Sequence, residues 1–219
     1  MMNSLKTISS SCKNKDCKFG DIKKKYKEIV FKEDAVYEHF FIFPNGLGMN
    51  DNDSYIIENN KIMGFDAGII YKKYISDAGL TLFNGQYNKN DLETYKKLFA
   101  IIESGVQKIK PGAKCLDIYK AMVETRDRYG LKNAFFEGHG IGLSFREYPV
   151  INGNIDYQFH DGFADRSANF TLEKNMVFNF ELGMHIPNIK TFQIEKTFVV
   201  SENAYREFDF QNRSEPLFI

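Results

Sequence analysis

The first regular pattern of hydrophobic positions along the chain has the period of a helix. Over residues 20–39 the apolar side chains recur every three or four positions, at Ile22, Tyr26, Ile29 and Val30. This spacing predicts a helix with one apolar face. Residues 1–18, which precede it, are rich in Lys, Ser and Asn and predict a disordered tail. The remaining residues 19–219 are then expected to form a single domain.

A longer apolar stripe predicts a second helix over residues 88–112. Its hydrophobic positions are three or four residues apart, at Leu92, Tyr95, Phe99, Ile102, Val106 and Ile109. Asn90 or Asp91 is positioned to cap the start of this helix, and Pro111 with the glycine after it ends the helix. A third amphipathic helix is predicted over residues 115–130.

Five shorter segments have the composition or the alternation of strands. Those at residues 39–44, 62–70 and 74–83 are rich in aromatic and aliphatic side chains, and a tight turn joins the last two. Those at residues 176–182 and 191–201 alternate with period two, so every second residue shares a face.

Composition and charge narrow the classes of protein that fit. The chain carries 29 basic and 29 acidic side chains, so its formal net charge is zero, and neither nucleic acid nor a membrane surface is an expected partner. The sequence contains neither an apolar run long enough to cross a bilayer nor a recognisable secretory signal. Its odd number of cysteines, three, then favours a reducing, cytoplasmic location.

Four carboxylates lie in the predicted strands, where an unpaired charge is costly. They are Asp66, Asp77, Glu181 and Glu195, while His139 lies between glycines in the segment GHGIG. A carboxylate on an apolar strand is tolerated when it is paired or bound to a metal ion. Each residue also has an ordinary interpretation: Asp66 in a turn, His139 hydrogen-bonded in the core, and Glu195 paired with a neighbouring lysine.

Three segments carry these residues in a recognisable order: GFDAGIIYKKYISDAG (64–79), EGHGIGLSFREYP (137–149) and NMVFNFELGMHIPNIKTFQIEKTFVV (175–200). In this order the chain resembles the pita-bread metallopeptidases, which include methionine aminopeptidases, prolidases and aminopeptidase P, over residues 62–208. The spacing of the two glutamates is more similar to the prolidase and aminopeptidase P branch. The resemblance implies an α+β fold of the pita-bread type, with a curved, mostly antiparallel sheet and helices on its outer face.

The resemblance also implies a ligand set for two divalent metal ions, which would be Mn²⁺, Fe²⁺, Co²⁺ or Zn²⁺. Asp66 would chelate one ion, Asp77 and Glu195 would bridge both, and His139 and Glu181 would complete the other. Carboxylates with one imidazole are ligands that such cations accept. The implied reaction is hydrolysis by a metal-bridging hydroxide, with Glu181 as the group that takes up its proton.

The chain departs from the family at its accessory histidines. The family places a second histidine seven residues after the metal-binding one, and the residue there is Arg146. Another family histidine precedes the first aspartate by seventeen or eighteen residues, where this sequence reads Gly48, Met49, Asn50. Arg146 cannot cycle a proton, so we expect it to anchor an anionic group of the substrate instead.

Two other histidines lie near the predicted site in the sequence. His160 belongs to a long segment between His139 and Glu181, which is either a lid that returns a histidine to the site or an ordinary surface loop. His185 lies four residues after Glu181, where it would either reach the substrate or pack in the core. We count His160 with Glu181 and Arg146 as candidate catalytic residues.

The part of the chain before Asp66 is short for this family, so the N-terminal half of the fold is expected to be shortened. An outer sheet face left without helices has to be covered, which predicts a homodimer or a partner subunit.

Three functions fit these observations. The first is a dinuclear, metal-dependent hydrolase that acts on a peptide-like or small C–N substrate, as Xaa-Pro peptidases do. The second is a lyase or another small-molecule reaction at the same metal site, since both accessory histidines are missing. The third is a catalytically inactive peptide-binding module, although such modules tend to lose metal ligands.

Overall fold

The structure, a computed structural model, describes seven stretches of the chain: residues 17–46, 48–59, 61–153, 157–158, 164–165, 170–208 and 214–218. These residues contain three helices: α1 (Phe19–Lys32), α2 (Lys89–Val106) and α3 (Cys115–Arg128). The strands of the N-terminal half are β1 (Val36–Phe43), β2 (Lys61–Tyr71) and β3 (Tyr74–Asn84). Those of the C-terminal half are β4 (Ala134–Gly140), β5 (Glu147–Ile151), β6 (Tyr157–Gln158), β7 (Ala164–Asp165), β8 (Val177–Ile186), β9 (Lys190–Val200), β10 (Tyr205–Glu207) and β11 (Leu217–Phe218).

The strands form two main sheets and a small ribbon. The first sheet has the order β1-β2-β3-β11, the second has the order β10-β9-β8-β4-β5, and β6 pairs with β7. Every pairing among the described strands is antiparallel except that of β11 with β3. The α+β, mostly antiparallel fold predicted from the sequence is therefore confirmed.

Helices cover the outer face of each sheet, and the two halves differ in how many they use. Of the helices that the structure describes, α1 alone packs on the sheet of the first half, through the fully buried Phe19 and Tyr26. Their rings lie 5.4 and 4.8 Å from that of Phe40 on β1. In the second half α2 and α3 together cover a larger core built on β8 and β9. Among the described residues, the N-terminal half thus has one helix where the C-terminal half has two, and α1 covers the outer face of its sheet.

The predicted helix over residues 20–39 was too long. The helix ends at Lys32, and Asp34 adopts a φ of 55°, a left-handed conformation that turns the chain out of the helix. Residues from Val36 onward join β1, where their aromatic and β-branched side chains fit a pleated surface. Helical spacing at Val30 thus gave no information about the end of the element.

The start and end of α2 also differ from the prediction. The N-cap is Asn88, whose side chain accepts a hydrogen bond from the backbone of Asp91, while the Asp91 side chain accepts one from the backbone of Asn88. This reciprocal capping box satisfies two backbone N–H groups and excludes Asn90 as the cap. The helix ends at Val106, six residues before the predicted end, and a short turn leads to Pro111.

A tight hairpin sets the register of β2 and β3 within the first sheet, and one hydroxyl joins the two sheets. Lys72 and Lys73 form the two-residue turn between β2 and β3, both with positive φ, as that hairpin type requires. The Thr81 hydroxyl of β3 donates to the carbonyl of Gln193 on β9 at 2.7 Å and accepts from its backbone N–H at 2.9 Å. Because of this bridge, the inner faces of the two sheets meet along β3 and β9.

Some predictions concern residues outside the described ranges. His160 is one of them, and residues 1–16 of the predicted tail are others. The last two residues of that predicted tail are ordered, since Lys18 bridges to Ile56 and the Cys17 carbonyl accepts from the backbone of Ile57. In the described part of the chain, none of the helices has the length and apolar character needed to span a membrane.

Candidate metal centre

The first sheet brings one imidazole and two carboxylates together on its inner face. His39 on β1 lies opposite Gly68 on β2, and Gly68 lies opposite Asp77 on β3. Asp66 is two residues from Gly68 and therefore shares its face. The Nε2 atom of His39 is 2.8 Å from Asp66 Oδ1 and 3.6 Å from Asp77 Oδ1.

The second sheet presents a similar grid from the other side. Glu137, Glu181 and Glu195 lie directly opposite one another on β4, β8 and β9. Two residues further along β4, on the same face of the sheet, His139 lies opposite Asn179 of β8. The Nε2 atom of His139 is 2.8 Å from Glu181 Oε1 and 3.6 Å from Asp77 Oδ2 of the first sheet.

Asp77 joins the two groups into one centre. His39, Asp66 and Asp77 offer ligand atoms within 4.8 Å of one another, and so do Asp77, His139 and Glu181. The fifth predicted ligand, Glu195, is linked to Asp77 through Asn179, whose amide donates to both carboxylates, at 3.3 and 3.1 Å. The structure therefore brings all five sequence-predicted ligands to one cavity between the sheets.

Two atoms in this cavity are suited to a cation. Among the described residues, Asp77 Oδ1 and His139 Nε2 are fully buried and make no hydrogen bond. The other ring nitrogen of His139, Nδ1, donates to the carbonyl of Gly140 at 3.0 Å, so the lone pair of the neutral ring lies on Nε2 and faces the carboxylates. Buried polar atoms without partners are costly, and a bound divalent ion satisfies them. The residues thus fit the metal ions that the resemblance implies.

Amide and glycine residues around the ligands fix the position of Glu195. Gln193 donates to Glu195 Oε1 at 2.7 Å, and the Asn179 bond described above occupies Oε2. The Thr197 hydroxyl in turn lies 3.2 Å from Asn179 Oδ1 and fixes the orientation of that amide. Gly79 leaves room for the Glu195 carboxylate, because a Cβ at position 79 would lie 2.5 Å from Glu195 Oε1.

The crowded carboxylates shift each other's protonation. Burial raises the pKa of Glu195 well above its ordinary value, and the charges of Asp66, Asp77 and Glu181 raise it further. Burial likewise raises the pKa of Asp66 to about 6, against the opposing effect of His39. A bound cation would remove this repulsion and restore the ionised forms.

The imidazoles are shifted in the opposite sense by the same charges. Burial lowers the pKa of His39, but Asp66, Glu38 and Asp77 outweigh burial and raise the pKa to about 9. Burial lowers the pKa of His139 as well, yet Asp77 and Glu181 bring it to about 9. Burial raises the pKa of Asp77, and the two histidines more than reverse this, so that its pKa lies below the ordinary value.

Arg146 contacts two carboxylates of the second sheet. Its Nη2 atom is 2.9 Å from Glu181 Oε1 and also forms an ion pair with Glu137. Without this cation, Glu137 and Glu181 would face each other across β4 and β8 as like charges, which is destabilising. A substrate anion at Arg146 would therefore compete with both carboxylates.

Several residues at the centre were not predicted from the sequence. His39 was assigned only to a strand, although it is a polar residue within the aromatic run HFFIF, and that polarity was the available signal. Phe145, in the segment GIGLSF, packs on both imidazoles, with ring centroids 5.3 Å from His39 and 5.9 Å from His139. The places of Glu137 and Asn179 at the centre follow from the register of the strands, which the spacing of residues in the sequence does not reveal.

The remaining described histidine lies beside the centre and outside both ligand clusters. His185 stacks on Phe135 with ring centroids 5.1 Å apart, and its Nδ1 is 3.3 Å from the Thr191 hydroxyl. The sequence allowed His185 either to reach the substrate or to pack in the core. Its contacts with Phe135 and Thr191 correspond to packing.

The fold and the ligand cluster define a class of protein: two mostly antiparallel sheets with outer helices, and inner carboxylates and imidazoles suited to divalent cations. The model of metallopeptidase family M24 matches residues 22–202, and the chain belongs to this family.

Curated relatives agree with this assignment. An Xaa-Pro dipeptidase of Pyrococcus furiosus is 27% identical over 168 residues, which are 76% of this chain and 43% of that protein. An uncharacterized peptidase of Staphylococcus epidermidis is 29% identical over 151 residues, which are 68% of this chain and 39% of that protein. The chain thus spans about two-fifths of the length of these relatives.

Solved structures share the fold. An X-Pro aminopeptidase from Thermotoga maritima superposes with a TM-score of 0.82 at 18% identity, over all of this chain and 60% of that one. The prolidase from Pyrococcus furiosus gives 0.76 at 20% identity, over 96% of this chain and 62% of that one. A methionine aminopeptidase from Rickettsia prowazekii gives 0.76 at 16% identity, over 94% of this chain and 91% of that one. Their fold is the pita-bread fold expected from the sequence.

Proposed function

We propose that this chain is a dinuclear metal-dependent hydrolase that cleaves a peptide-like or small C–N substrate, as an Xaa-Pro dipeptidase does. The observation that carries the proposal is the convergence of the five ligand side chains on one buried cavity. They are Asp66, Asp77, His139, Glu181 and Glu195. Divalent ions held there, Mn²⁺, Fe²⁺, Co²⁺ or Zn²⁺, would supply Lewis acidity and a water of lowered pKa.

The proposal assigns different tasks to the residues around the cavity. Glu181 accepts a proton during attack on the amide, since it faces the cavity and its side chain is partly exposed. Arg146, which contacts Glu181, orients that carboxylate and offers a positive charge to an anionic substrate group. Burial of Asp77 and His139 excludes water from the ligand side of the site. His160 stays a candidate lid residue.

The alternative functions have less support. A binding module without metal would leave Asp77 Oδ1 buried without a hydrogen bond to the described residues and four carboxylates crowded at one site, where the histidines compensate their charge only in part. The lyase alternative rests on the absence of both accessory histidines, which bears on the substrate and leaves the ligand set unchanged.

The test combines metal analysis with a substrate panel. Protein stripped with a chelator is reconstituted with each of the four metals and assayed on Xaa-Pro dipeptides, Xaa-Pro-Xaa tripeptides and matched peptides without proline. We expect two ions per chain and metal-dependent hydrolysis of a proline-containing member. Asp77→Asn should lower kcat/KM by more than about 100-fold, beyond the usual effect of changing a ligand's hydrogen-bond partner.

Asp127→Asn is the matched control, because Asp127 is an exposed aspartate that pairs with its neighbour Arg126. It should leave both metal content and activity unchanged. A reconstituted protein with two ions and no amide hydrolysis across the panel would point to the lyase class, and a protein that takes up no metal would contradict the proposal.

The same proposal includes a homodimer or a partner subunit, and a cytoplasmic location. Since α1 already covers the first sheet, the surface left for a partner is smaller than expected; Phe31 and Val36 remain 81% and 61% exposed there. Light scattering at micromolar concentration should give a dimer mass. A monomer that also fails to bind a hydrophobic dye would exclude the dimer.

A further inference from the structure

His39 is buried in the cavity, with 6% of its surface exposed, yet it is none of the five ligands considered so far. Its Nε2 atom lies between the two carboxylates of the first sheet, 2.8 Å from Asp66 and 3.6 Å from Asp77. The nearer oxygen of Asp77, Oδ1, is the buried atom that makes no hydrogen bond to the described residues. An imidazole nitrogen and two carboxylate oxygens therefore face one point.

The other ring nitrogen of His39 is already committed. Nδ1 contacts the carboxylate of Glu38, and because a carboxylate only accepts, Nδ1 carries the proton of that hydrogen bond. The lone pair of neutral His39 is then on Nε2, which faces Asp66 and Asp77. Metal-binding histidines characteristically donate their second ring N–H to a carboxylate or a backbone carbonyl in this way.

The backbone is shaped to place this ring. The pairing of β1 with β2 shifts by one residue between Tyr37 and His39, so Glu38 is the extra residue of a β-bulge. Bulges re-aim side chains next to functional sites. On the facing strand, Gly68 provides the room, since a Cβ there would lie 2.5 Å from Cε1 of His39.

His139 in the second sheet has the same arrangement. Its Nδ1 is also committed, to the Gly140 carbonyl, and its Nε2 is also 2.8 Å from a carboxylate, that of Glu181. A register shift between His139 and Gly140 again marks the strand beside it. The resemblance assigns a ligand role to His139 alone, yet the contacts of the two imidazoles correspond nitrogen by nitrogen.

We propose that His39 is a sixth protein ligand, which binds through Nε2 the cation held by Asp66 and Asp77. Each of the two cations then has one imidazole, His39 in the first sheet and His139 in the second. Imidazole favours Co²⁺, Zn²⁺ and Fe²⁺ over purely oxygen-seeking ions, so His39 shifts the preference of the first position away from Mn²⁺. This inference rests on the proposed dinuclear centre and goes beyond it.

The test is a comparison of His39→Gln with His185→Gln in the full chain. His185 is a matched control because it is a partly buried histidine outside both ligand clusters. Stoichiometry and affinity are measured by calorimetry with Co²⁺, Zn²⁺ and Mn²⁺. We expect His39→Gln to weaken one of the two Co²⁺ and Zn²⁺ equivalents by at least about 100-fold, and Mn²⁺ by less, whereas His185→Gln changes neither.

Proton NMR of the Co²⁺-loaded protein gives a readout independent of activity. A histidine bound through Nε2 keeps an exchangeable Nδ1 proton close to the paramagnetic ion, which shifts its signal far downfield. We expect two such signals in the wild type and in His185→Gln, and one in His39→Gln. Glu38→Ala should retain both ions with about 10- to 100-fold weaker binding of one, because the ring loses its orienting partner.

The outcomes separate this inference from the proposed function. If His39→Gln retains two ions at unchanged affinity and both shifted signals, His39 is no ligand, and the dinuclear hydrolase stands. A single shifted signal in the wild type that survives in His39→Gln also excludes His39. A wild-type protein that binds no divalent ion overturns both proposals.

Discussion

Asp77, on the first sheet, has its carboxylate close to polar side chains of both sheets. One of its oxygens faces His39 and the other faces His139, both at 3.6 Å, and Asn179 donates to the latter oxygen. Two imidazoles from opposite sheets thus stabilise the ionised form of this carboxylate. Their effect explains why its pKa is lowered although the side chain is buried. Asp66 and Glu195 nevertheless keep raised pKa values, because burial and the neighbouring charges outweigh their hydrogen bonds, and a bound cation would relieve that repulsion.

Metal removal should make the stability of the protein depend on pH in a specific direction. His39 and His139 have an ordinary pKa of 6.5, raised to about 9 in the folded chain. Their stabilising effect is therefore complete below pH 6.5 and is lost as the pH rises to 9. We expect the chelated protein to lose about 3 kcal/mol or more of its free energy of unfolding over this range. Urea titrations at several pH values measure it.

The double variant with glutamine at both histidines serves as the comparison. It should have a shallower profile between pH 6.5 and 9, because the raised pKa of Glu195 still contributes, whereas His185→Gln should keep the wild-type slope. Equal slopes in all three proteins would show that the imidazoles are not the groups that titrate.

Gly79→Ala tests how closely the second-sheet ligand is confined. The new Cβ would lie 2.5 Å from Glu195 Oε1, so the carboxylate must move away from its position between Asn179 and Gln193. We expect metal affinity to fall by about 10- to 100-fold. Gly105→Ala is the control, because its Cβ would press on Met122 in the core, 2.7 Å away, and affect no ligand. Comparable metal affinity in both variants would rule out this confinement.

Arg146→His restores the side chain that the family resemblance places at this position. If the guanidinium anchors the substrate carboxylate, KM for free-acid dipeptides should rise about 10-fold and KM for the corresponding amides should stay unchanged. If loss of a proton-transfer group limits the reaction, kcat should rise, since a positioned acid or base contributes about 100-fold or more. An Arg126→His control on α3 should change neither constant.

At the scale of the elements, the capping box of α2 is a direct test of the boundary that the sequence did not predict. Asn88→Ala removes the acceptor of the Asp91 backbone N–H and should cost about 1 kcal/mol of unfolding free energy. Asn90→Ala, at the position that the sequence favoured, should stay within about 0.5 kcal/mol. Thermal unfolding of the two variants distinguishes them, and the reverse order would return the cap to Asn90.

The contribution of α1 follows from how its apolar face is buried. Phe19→Ala removes a fully buried ring that stacks near Phe40 and should cost about 3–5 kcal/mol. Phe31→Ala on the same helix removes a ring that is 81% exposed and should cost less than about 0.5 kcal/mol. Chemical unfolding gives both values. A large effect of Phe31→Ala would instead indicate that a partner chain buries that ring.

The sequence predicted the elements that carry strong local signals. The strand with Asp66 was recognised from its run of aromatic and aliphatic side chains, and the strand with Glu195 from its period-two alternation, both of which are visible within a few residues. The end of α1 was missed because it depends on the left-handed conformation of Asp34. The residues around Asp34 are compatible with that conformation but do not require it. His39 was missed for a different reason: its place opposite Gly68 exists only once a bulge sets the register of β1 against β2.

At the scale of the whole molecule, two sheets with unequal cover enclose one site. The second sheet has α2 and α3 behind it, and its core is larger than that of the first sheet, which has α1 alone. The sheets are joined directly by the Thr81 hydroxyl and, in the proposed function, by cations held from both sides. Family membership was predictable from three sequence segments. Which helix covers which sheet face could be seen only in the structure.

The division of the ligands between the sheets bears on how long the protein would last in a cell. If the proposed centre loses its cations, the sheets keep the contacts made by Thr81 and Asn179 but lose the links through the metal, and the like charges there push the halves apart. We expect such molecules to open more often and to be cut by cellular proteases at the loops between the sheets. Scarcity of the metal would then lower the amount of the protein as well as its activity, so that its abundance follows the supply of the ion.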